Sequence, residues 1–476
     1  MKYSIVKKSQ VCEVSTLRFD AEYYEPKYLD ILKCIEKKAK DFTKLSHLGL
    51  QIDASAFYPA LEPYYNKGNL PFLRVQDINN KINYEDCLGI PETIEKDKTF
   101  ETLKFVQTGD IVITKGGSIA RVGLVERKSA ACRDLIFINS SKLSNIEYKF
   151  LYVYCLSYIY KNLLIRSSSM TAQPHLTITL VREVPIYGPN LAFKTFIAKL
   201  VDKLSNLDKL CHCSYIKAEN ILLDELNIEN WSPKHKLWSV KNYSDVKDAN
   251  RLDAEYFQSK YDEIMNILNK NGYTRLIDNF NIVRNSGLEY HEDGKIGVIK
   301  TKQIKDKFID FNVESKTNLY EDNVIVKNKD VLFASMGVGS LGKTNIYYNF
   351  ENNNEFIIDS TLKIFRKKIN GSISPELLEA YLHTQIAQEL IYQNVVGSSG
   401  IISVYESYLQ ELPIPIINNS VEQKIVENIK TAHLLYYQSK QLLEIAKRGV
   451  EIAIEQDENI ATNWINQELQ KIGVEL

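Results

Sequence analysis

No run of apolar residues in this 476-residue chain approaches the roughly 20 that a membrane-spanning helix needs. The opening stretch MKYSIVKKSQVCEV has no apolar h-region, so no secretory leader is expected there. Cysteine is sparse, odd in number at seven, and scattered, which argues against a disulfide framework and for reduced thiols in a cytoplasm. Charge of one sign is lacking too. The net charge is −1, which by itself gives no signal for a nucleic-acid partner. Residues 1–190 carry 26 Lys+Arg against 21 Asp+Glu, a local excess of +5 that an ordinary solvated surface also shows.

Catalytic signatures are missing as well. There is no HExxH, no G-x-S-x-G elbow, no Asn/Asp-Pro-Pro-Tyr/Phe motif and no glycine-rich loop of an amino-methyltransferase. Cys211-His212-Cys213 fails as a metal site because consecutive helical residues point in different directions and no second ligand pair lies nearby. Glu314-Ser315-Lys316 lacks the preceding Pro-Asp of a nuclease centre.

What the chain does contain is a second copy of itself. RFDAEYYEPKY (18–28) returns as RLDAEYFQSKY (251–261), with seven of eleven positions identical. LRVQDI (73–78) answers IKTKQI (299–304), and GDIVITKGGSIARVGLV (109–125) answers KDVLFASMGVGSLGKTNIY (329–347). RSSSMTAQPHLTITLVREVPI (166–186) answers VVGSSGIISVYESYLQELPIP (395–415). Offsets drift between about 220 and 233, the behaviour of duplicated units with loops of unequal length.

A helical stripe follows each copy. Ile197, Val201, Leu204, Cys211, Tyr215, Ala218 and Leu222 recur at spacings of three and four, with Asp208 interrupting. Ile425, Ile429, Ala432, Tyr436, Leu443, Ala446 and Val450 repeat the pattern, with Ser439 as the polar member. Such spacing is a coiled-coil seam, and two seams in one chain suggest that the helices pair. A helix of about 35 residues spans roughly 50 Å. Two separate helices, each covering its own domain, are the simpler alternative. The outward residues Lys203, Asn206, Lys430 and Gln438 could meet partners. His433 reads as a partly exposed or core-edge residue, and Trp231 and Trp238 as packing residues around a linker.

GVGSLGKT (337–344) has the spacing of a phosphate-binding P-loop. A P-loop requires a helix immediately afterwards, so that amides at the helix N-terminus meet phosphate. TNIYYNFENNNEF has no helical period and suits the second strand of a hairpin. The first copy keeps the glycines and a basic residue but has no Gly-Lys-Ser/Thr.

The ordered duplication resembles the specificity (S) subunit of type I restriction–modification systems. The resemblance rests on the R-[FL]-D-A-E-Y-[YF] entries, the GDIVI and KDVLF strands with glycine-rich tips, and the Ser-rich turn leading to a proline and a long helix. It covers essentially the whole chain. It implies an α+β fold: two tandem target-recognition domains of mixed strand and helix, separated by two long conserved helices that pair as an antiparallel coiled coil. The boundaries are then 1–190 for the first recognition domain and 191–230 for the first conserved helix. The second domain takes 231–420, and the second helix 421–476. Each domain would read one half of a bipartite, asymmetric site in double-stranded DNA. The helices would dock methyltransferase subunits, two of them, with restriction/translocase subunits joining for phage defence. The chain itself would be non-catalytic, without cofactor or metal; S-adenosylmethionine, ATP and magnesium would belong to the partners.

Planar or forked donors on loops are the natural base readers. In the first copy these are Arg74, Gln76, Lys115, Ser118, Arg121, Arg166, Ser168, Gln173 and His175. In the second they are Lys300, Lys302, Gln303, Ser340, Lys343, Ser398 and Ser399. Each is also a plausible turn former or solvated side chain. An ATP-binding P-loop protein and a coiled-coil scaffold without DNA remain the alternative functions.

Overall fold

The computed structural model describes residues 4–8, 11, 20–84, 86–168, 175–285, 287–318, 324–350, 355–397 and 401–476. The chain divides into two compact units. Unit 1 comprises 1–206 and 438–476, and unit 2 comprises 207–437.

In unit 1, helix α1 (Pro26–Lys37) precedes strand β1 (Phe42–Lys44) and strand β2 (Ile52–Ala54). Strands β3 (Leu70–Leu73), β4 (Leu88–Ile90) and β5 (Lys104–Val106) follow. Then come β6 (Ile111–Thr114), β7 (Val122–Leu124), β8 (Ser129–Ala131) and β9 (Leu135–Ile138). Helices α2 (Asn145–Leu156) and α3 (Tyr158–Ser167) lead to β10 (Pro185–Tyr187). One sheet has the order β2-β9-β6-β7 and a second the order β4-β3-β8-β5, while β1 pairs with β10. The unbroken apolar run of β6, Ile-Val-Ile-Thr, is buried at every position, as a central strand covered on both faces requires.

Unit 2 repeats this plan. Helix α5 (Ser259–Asn271), introduced after the long helix α4 (Leu191–Leu226), precedes β11 (Tyr273–Arg275), β12 (Phe280–Val283) and β13 (Ile296–Ile299). Strands β14 (Lys316–Thr317), β15 (Val331–Ala334), β16 (Thr344–Ile346), β17 (Phe356–Ile358) and β18 (Leu362–Lys367) continue the unit. Helices α6 (Pro375–His383) and α7 (Gln385–Gln393) then lead to β19 (Pro413–Pro415). The sheets run β12-β18-β15-β16 and β14-β13-β17, and β11 pairs with β19. The first order matches β2-β9-β6-β7 strand for strand. In both units one neighbouring pair is parallel, β3 with β8 and β13 with β17. A parallel pair between strands so far apart in sequence is a demanding topology to form twice by chance, so the duplication extends to the fold.

The two long helices are α4 and α8 (Asn419–Glu455); α9 (Glu458–Lys471) ends the chain. Every apolar stripe residue named above is buried except Tyr436, which is half-buried, and Ser439 is 1% exposed. Within unit 2 the halves of the two helices share one core, which includes Tyr215, Ala218, Leu222, Ile425, Ile429 and Ala432. They run antiparallel there. Asn418 N donates to Glu225 Oε1 at 3.2 Å, while at the other end Phe308 stacks on Tyr436 at 4.1 Å and meets Tyr215 edge-on at 5.9 Å.

Three expectations need correcting. His433 is 6% exposed, enclosed by Phe308 and Tyr348, so it is a core residue. Trp231 packs on the core of unit 2, but Trp238 is 77% exposed. Gln438 is half-buried, and its amide donates to Ile472 O at 3.0 Å. No helix among the described residues is long and apolar enough to cross a membrane.

The thiols follow the packing. Cys211 is buried while Cys213 is exposed, so the Cys-His-Cys run diverges as helical geometry requires. Burial pushes the Cys132 thiol up to about 11. Cys213 is exposed and is expected to take up maleimide rapidly, and since a thiolate is the reactive form, the buried Cys132 is not. Cys132 should stay unlabelled in the folded protein and react only above about pH 10. Peptide mapping by mass spectrometry checks both.

Candidate nucleic-acid interface

The β6–β7 hairpin carries the tip Lys115–Arg121. Thr114 ties it: its hydroxyl donates to Ser118 O at 2.5 Å and accepts from Arg121 N at 2.9 Å. The chain reverses through Gly117 and Ala120 at φ +69° and +60°. Strand ends on both sides continue from this tip as a row of bonded segments. Cys132 N donates to Leu73 O at 3.0 Å, which places the turn Arg74–Asp77 beside residues 132–134. Lys115 N then donates to Asp134 O, and Leu176 N to Lys115 O, both at 2.9 Å. Four stretches far apart in sequence (73–77, 132–134, 115–121 and 175–176) thus lie edge to edge.

Unit 2 builds the same row. Asp359 N donates to Ile299 O, and Ser335 N to Thr361 O, both at 3.0 Å. Val404 N donates to Ser335 O at 3.1 Å, and Gly337 N to Ile402 O at 2.9 Å. The stretches 299–303, 359–361, 335–343 and 402–404 correspond one by one to those of unit 1. Of the sixteen candidates, Gln173, Ser398 and Ser399 lie outside the described residues. Most of the others are gathered on the two rows.

The P-loop spacing proves to be a hairpin. β15 and β16 pair antiparallel, with Phe333 opposite Thr344 and Val331 opposite Ile346, so a strand follows the glycines. Thr344 is buried and its hydroxyl donates to Gly342 O at 3.0 Å. Gly337, Gly339 and Gly342 adopt φ of +104°, +73° and +87°, which is what the glycines supply. Lys343 ends the tip exposed, and among the described residues no carboxylate lies within ion-pair distance of it.

The other side chains divide by what already holds them. Gln76, Ser118, His175 and Lys343 are exposed, and Lys115, Arg121 and Ser340 are half-buried. Arg74 is committed: Nε and Nη2 donate to the two carboxylate oxygens of Asp77, each at 3.1 Å. Burial pushes the Asp77 carboxyl up, and the hydrogen bonds from Arg74 oppose that shift. Gln303 occupies the place of Asp77 in the second copy. It is 4% exposed, with Oε1 accepting from Lys300 N at 3.1 Å, so it closes a turn. Lys300 Nζ lies 4.1 Å over the Tyr290 ring, and exposed Lys302 pairs with Glu314 at 2.9 Å.

Away from the rows, Arg166 stacks 3.7 Å over the Tyr23 ring and donates to Tyr23 O at 3.0 Å, tying α3 to the RFDAEYY segment. Ser168 is 1% exposed and donates to Ile165 O at 2.7 Å at the end of α3. The structure therefore gives Arg166, Ser168 and Gln303 jobs inside the fold. The rows also carry residues that the sequence reading did not name: the stretch 132–134, with exposed Arg133, and Thr361, whose hydroxyl meets that of Thr301 at 2.7 Å. Neither belongs to a motif, and only β-pairing brings them to the row.

Residues 50–219 match the family model described as the type I restriction modification DNA specificity domain. The matched segment contains the whole first row and runs on into α4. At Gly337–Thr344, outside the matched segment, a strand follows the glycines where a P-loop needs a helix. No curated protein gives a match. Among solved structures the chain is similar to the type I restriction–modification S subunit from M. genitalium, at 14% identity and a TM-score of 0.37 over 91% of this chain and 96% of that one. It is also similar to the HsdS subunit from Thermoanaerobacter tengcongensis, at 14% identity and a TM-score of 0.27 over 87% and 96%.

Proposed function

We propose that the chain is the sequence-reading subunit of a restriction–modification complex, with each row reading one half of a bipartite, asymmetric site in double-stranded DNA. The observation that carries this reading is the row of four segments built twice from the same backbone bonds, with different side chains on the two copies. Identical rows would suit a palindrome; diverged rows suit two different half-sites. Cationic tips supply phosphate contacts, which set affinity and its salt dependence, while neighbouring polar side chains meet base edges.

In this reading α4 and α8 fix the spacer and dock two methyltransferase subunits through outward faces such as Lys203, Asn206 and Lys430. Restriction/translocase subunits complete the complex in the cytoplasm. S-adenosylmethionine, ATP and magnesium serve the partner subunits, and the chain performs no chemistry of its own.

A single-molecule methylome of the host, with and without the gene, tests the proposal. Deletion should abolish one bipartite methylated motif, and exchange of residues 231–420 should change one half of it only. An unchanged methylome together with no methyltransferase co-purifying with the chain would overturn the reading.

A further inference from the structure

The stripe of α8 has Ser439 as its polar member, and that side chain is 1% exposed. A buried hydroxyl costs stability unless it is hydrogen-bonded. Here the partner comes from the β-rich part of unit 1: Lys81 Nζ donates to Ser439 Oγ at 2.8 Å. Lys81 is the counterpart of Lys307, since the match of 73–78 with 299–304 runs on to them at the same offset. Lys307 also reaches a long helix of its own unit. Its Nζ donates to Glu219 Oε2 on α4 at 3.1 Å and lies 4.6 Å over the Tyr215 ring. Both copies carry the lysine, while the acceptor is a hydroxyl in one and a carboxylate in the other.

Each lysine sits on a short hairpin that follows its row without slack. In unit 1, Ile78 pairs with Ile82 and Asn79 with Lys81 directly after the turn Arg74–Asp77. In unit 2, Ile304 and Ile309 form an antiparallel bridge directly after Gln303, and Lys305 N donates to Phe308 O at 3.1 Å. Ile78 and Ile304 are buried, which fixes the root of each hairpin. The hairpin also meets the strand that returns from the glycine-rich tip. At Gly123 of β7 a Cβ would lie 2.8 Å from Ile82 Cγ1, and the Asn345 amide of β16 donates to Lys305 O at 2.9 Å. Helix, hairpin, row and tip are therefore joined in each unit.

A polar pair in a half-buried place adds little net stability, because desolvation offsets much of the attraction, but it accepts a narrow range of geometries. The Lys307 and Glu219 side chains are 16% and 27% exposed, and such a pair suits fixing a register better than adding stability. We propose that Lys81 and Lys307 are positioning residues: each holds its row at one place along its helix, so that the gap between half-sites is read to the base pair. This rests on the reading of the rows as half-site readers. One base pair changes the separation of two half-sites by about 3.4 Å and their relative rotation by about 35°. A row that slides by less than one helix turn, about 5.4 Å, would accept a wrong gap.

Methylation by the chain in complex with its methyltransferase partner tests this, on duplexes carrying the parental motif with the native gap or a gap one base pair shorter or longer. Lys307→Met keeps the aliphatic stem and removes the ammonium. It should cut the preference for the native gap about tenfold. Base preference within each half-site should stay as in the parent, and the melting temperature should fall by no more than about 4 °C. Lys81→Met should act in the same way through unit 1. The reciprocal exchange Lys307→Glu/Glu219→Lys should restore the gap preference that either single exchange loses. Parental gap preference in both methionine variants would overturn the proposal and leave the half-site reading standing. So would a gap preference that falls only in step with the melting temperature and that the reciprocal exchange does not restore, because the lysine then acts through stability alone. A parent complex that methylates no bipartite motif overturns both.

Discussion

Tyr215→Ala should destabilise unit 2 by about 3–5 kcal/mol, the range for removing a large aromatic ring from a core. Tyr215 is fully buried on α4, and its ring meets Phe308 and His383 edge-on at 5.9 Å each. Lys307 Nζ lies 4.6 Å over the same ring. The alanine leaves a cavity at the point where halves of α4 and α8 share a core, so the seam cannot close around it. Tyr215→Phe is the informative control. The hydroxyl is buried without a hydrogen-bond partner, so its removal leaves the packing intact and relieves an unsatisfied group. The phenylalanine variant should therefore melt at or above the temperature of the parent, and the alanine variant well below it. Differential scanning calorimetry reads both. A phenylalanine variant as unstable as the alanine one would show that the hydroxyl, not the ring, carries the contribution.

Lys343→Glu should weaken duplex binding by the complex by about 1–2 kcal/mol, a loss of roughly 5- to 30-fold. The side chain is exposed, and the tip around it is held by backbone bonds that the substitution does not touch, such as Lys343 N to Ser340 O at 3.1 Å and Ala334 N to Lys343 O at 2.8 Å. Stability should then stay within about 0.5 kcal/mol of the parent, as for most surface changes. If the lysine meets a phosphate, the loss is the same on every sequence and the salt dependence becomes shallower by about 0.9 in log–log slope. If it meets a base edge, the loss falls on one half-site alone. Filter binding with cognate and scrambled duplexes at several salt concentrations separates these outcomes. Unchanged binding on all duplexes would remove the second tip from the interface.

Much of this architecture was legible in the residues. The repeat was visible because duplicated strands must keep their apolar runs: Ile111–Thr114 and Val331–Ala334 are both buried throughout. The helix stripes were visible because a buried face of an α-helix imposes a period, and Ile197, Ala218, Ile429 and Val450 all obey it. The false P-loop could be rejected from the residues after it, since Thr344–Ile346 has a strand's pattern and not a helix's.

Base-reader candidates fared differently, because residue type does not say what else a side chain touches. Arg74 and Gln303 carry the right donors, but buried turns already hold them. Arg133 and Thr361 carry no motif, yet they stand on the rows. Local chemistry and periodicity, which act over a few residues, are written in the sequence and determined the duplication, the strands and the helices. Which four stretches meet at each row, and which side chains on them are already held by neighbours, were decided only in the tertiary structure. Those outcomes depend on hydrogen bonds and packing between residues tens of positions apart, and no local pattern records them.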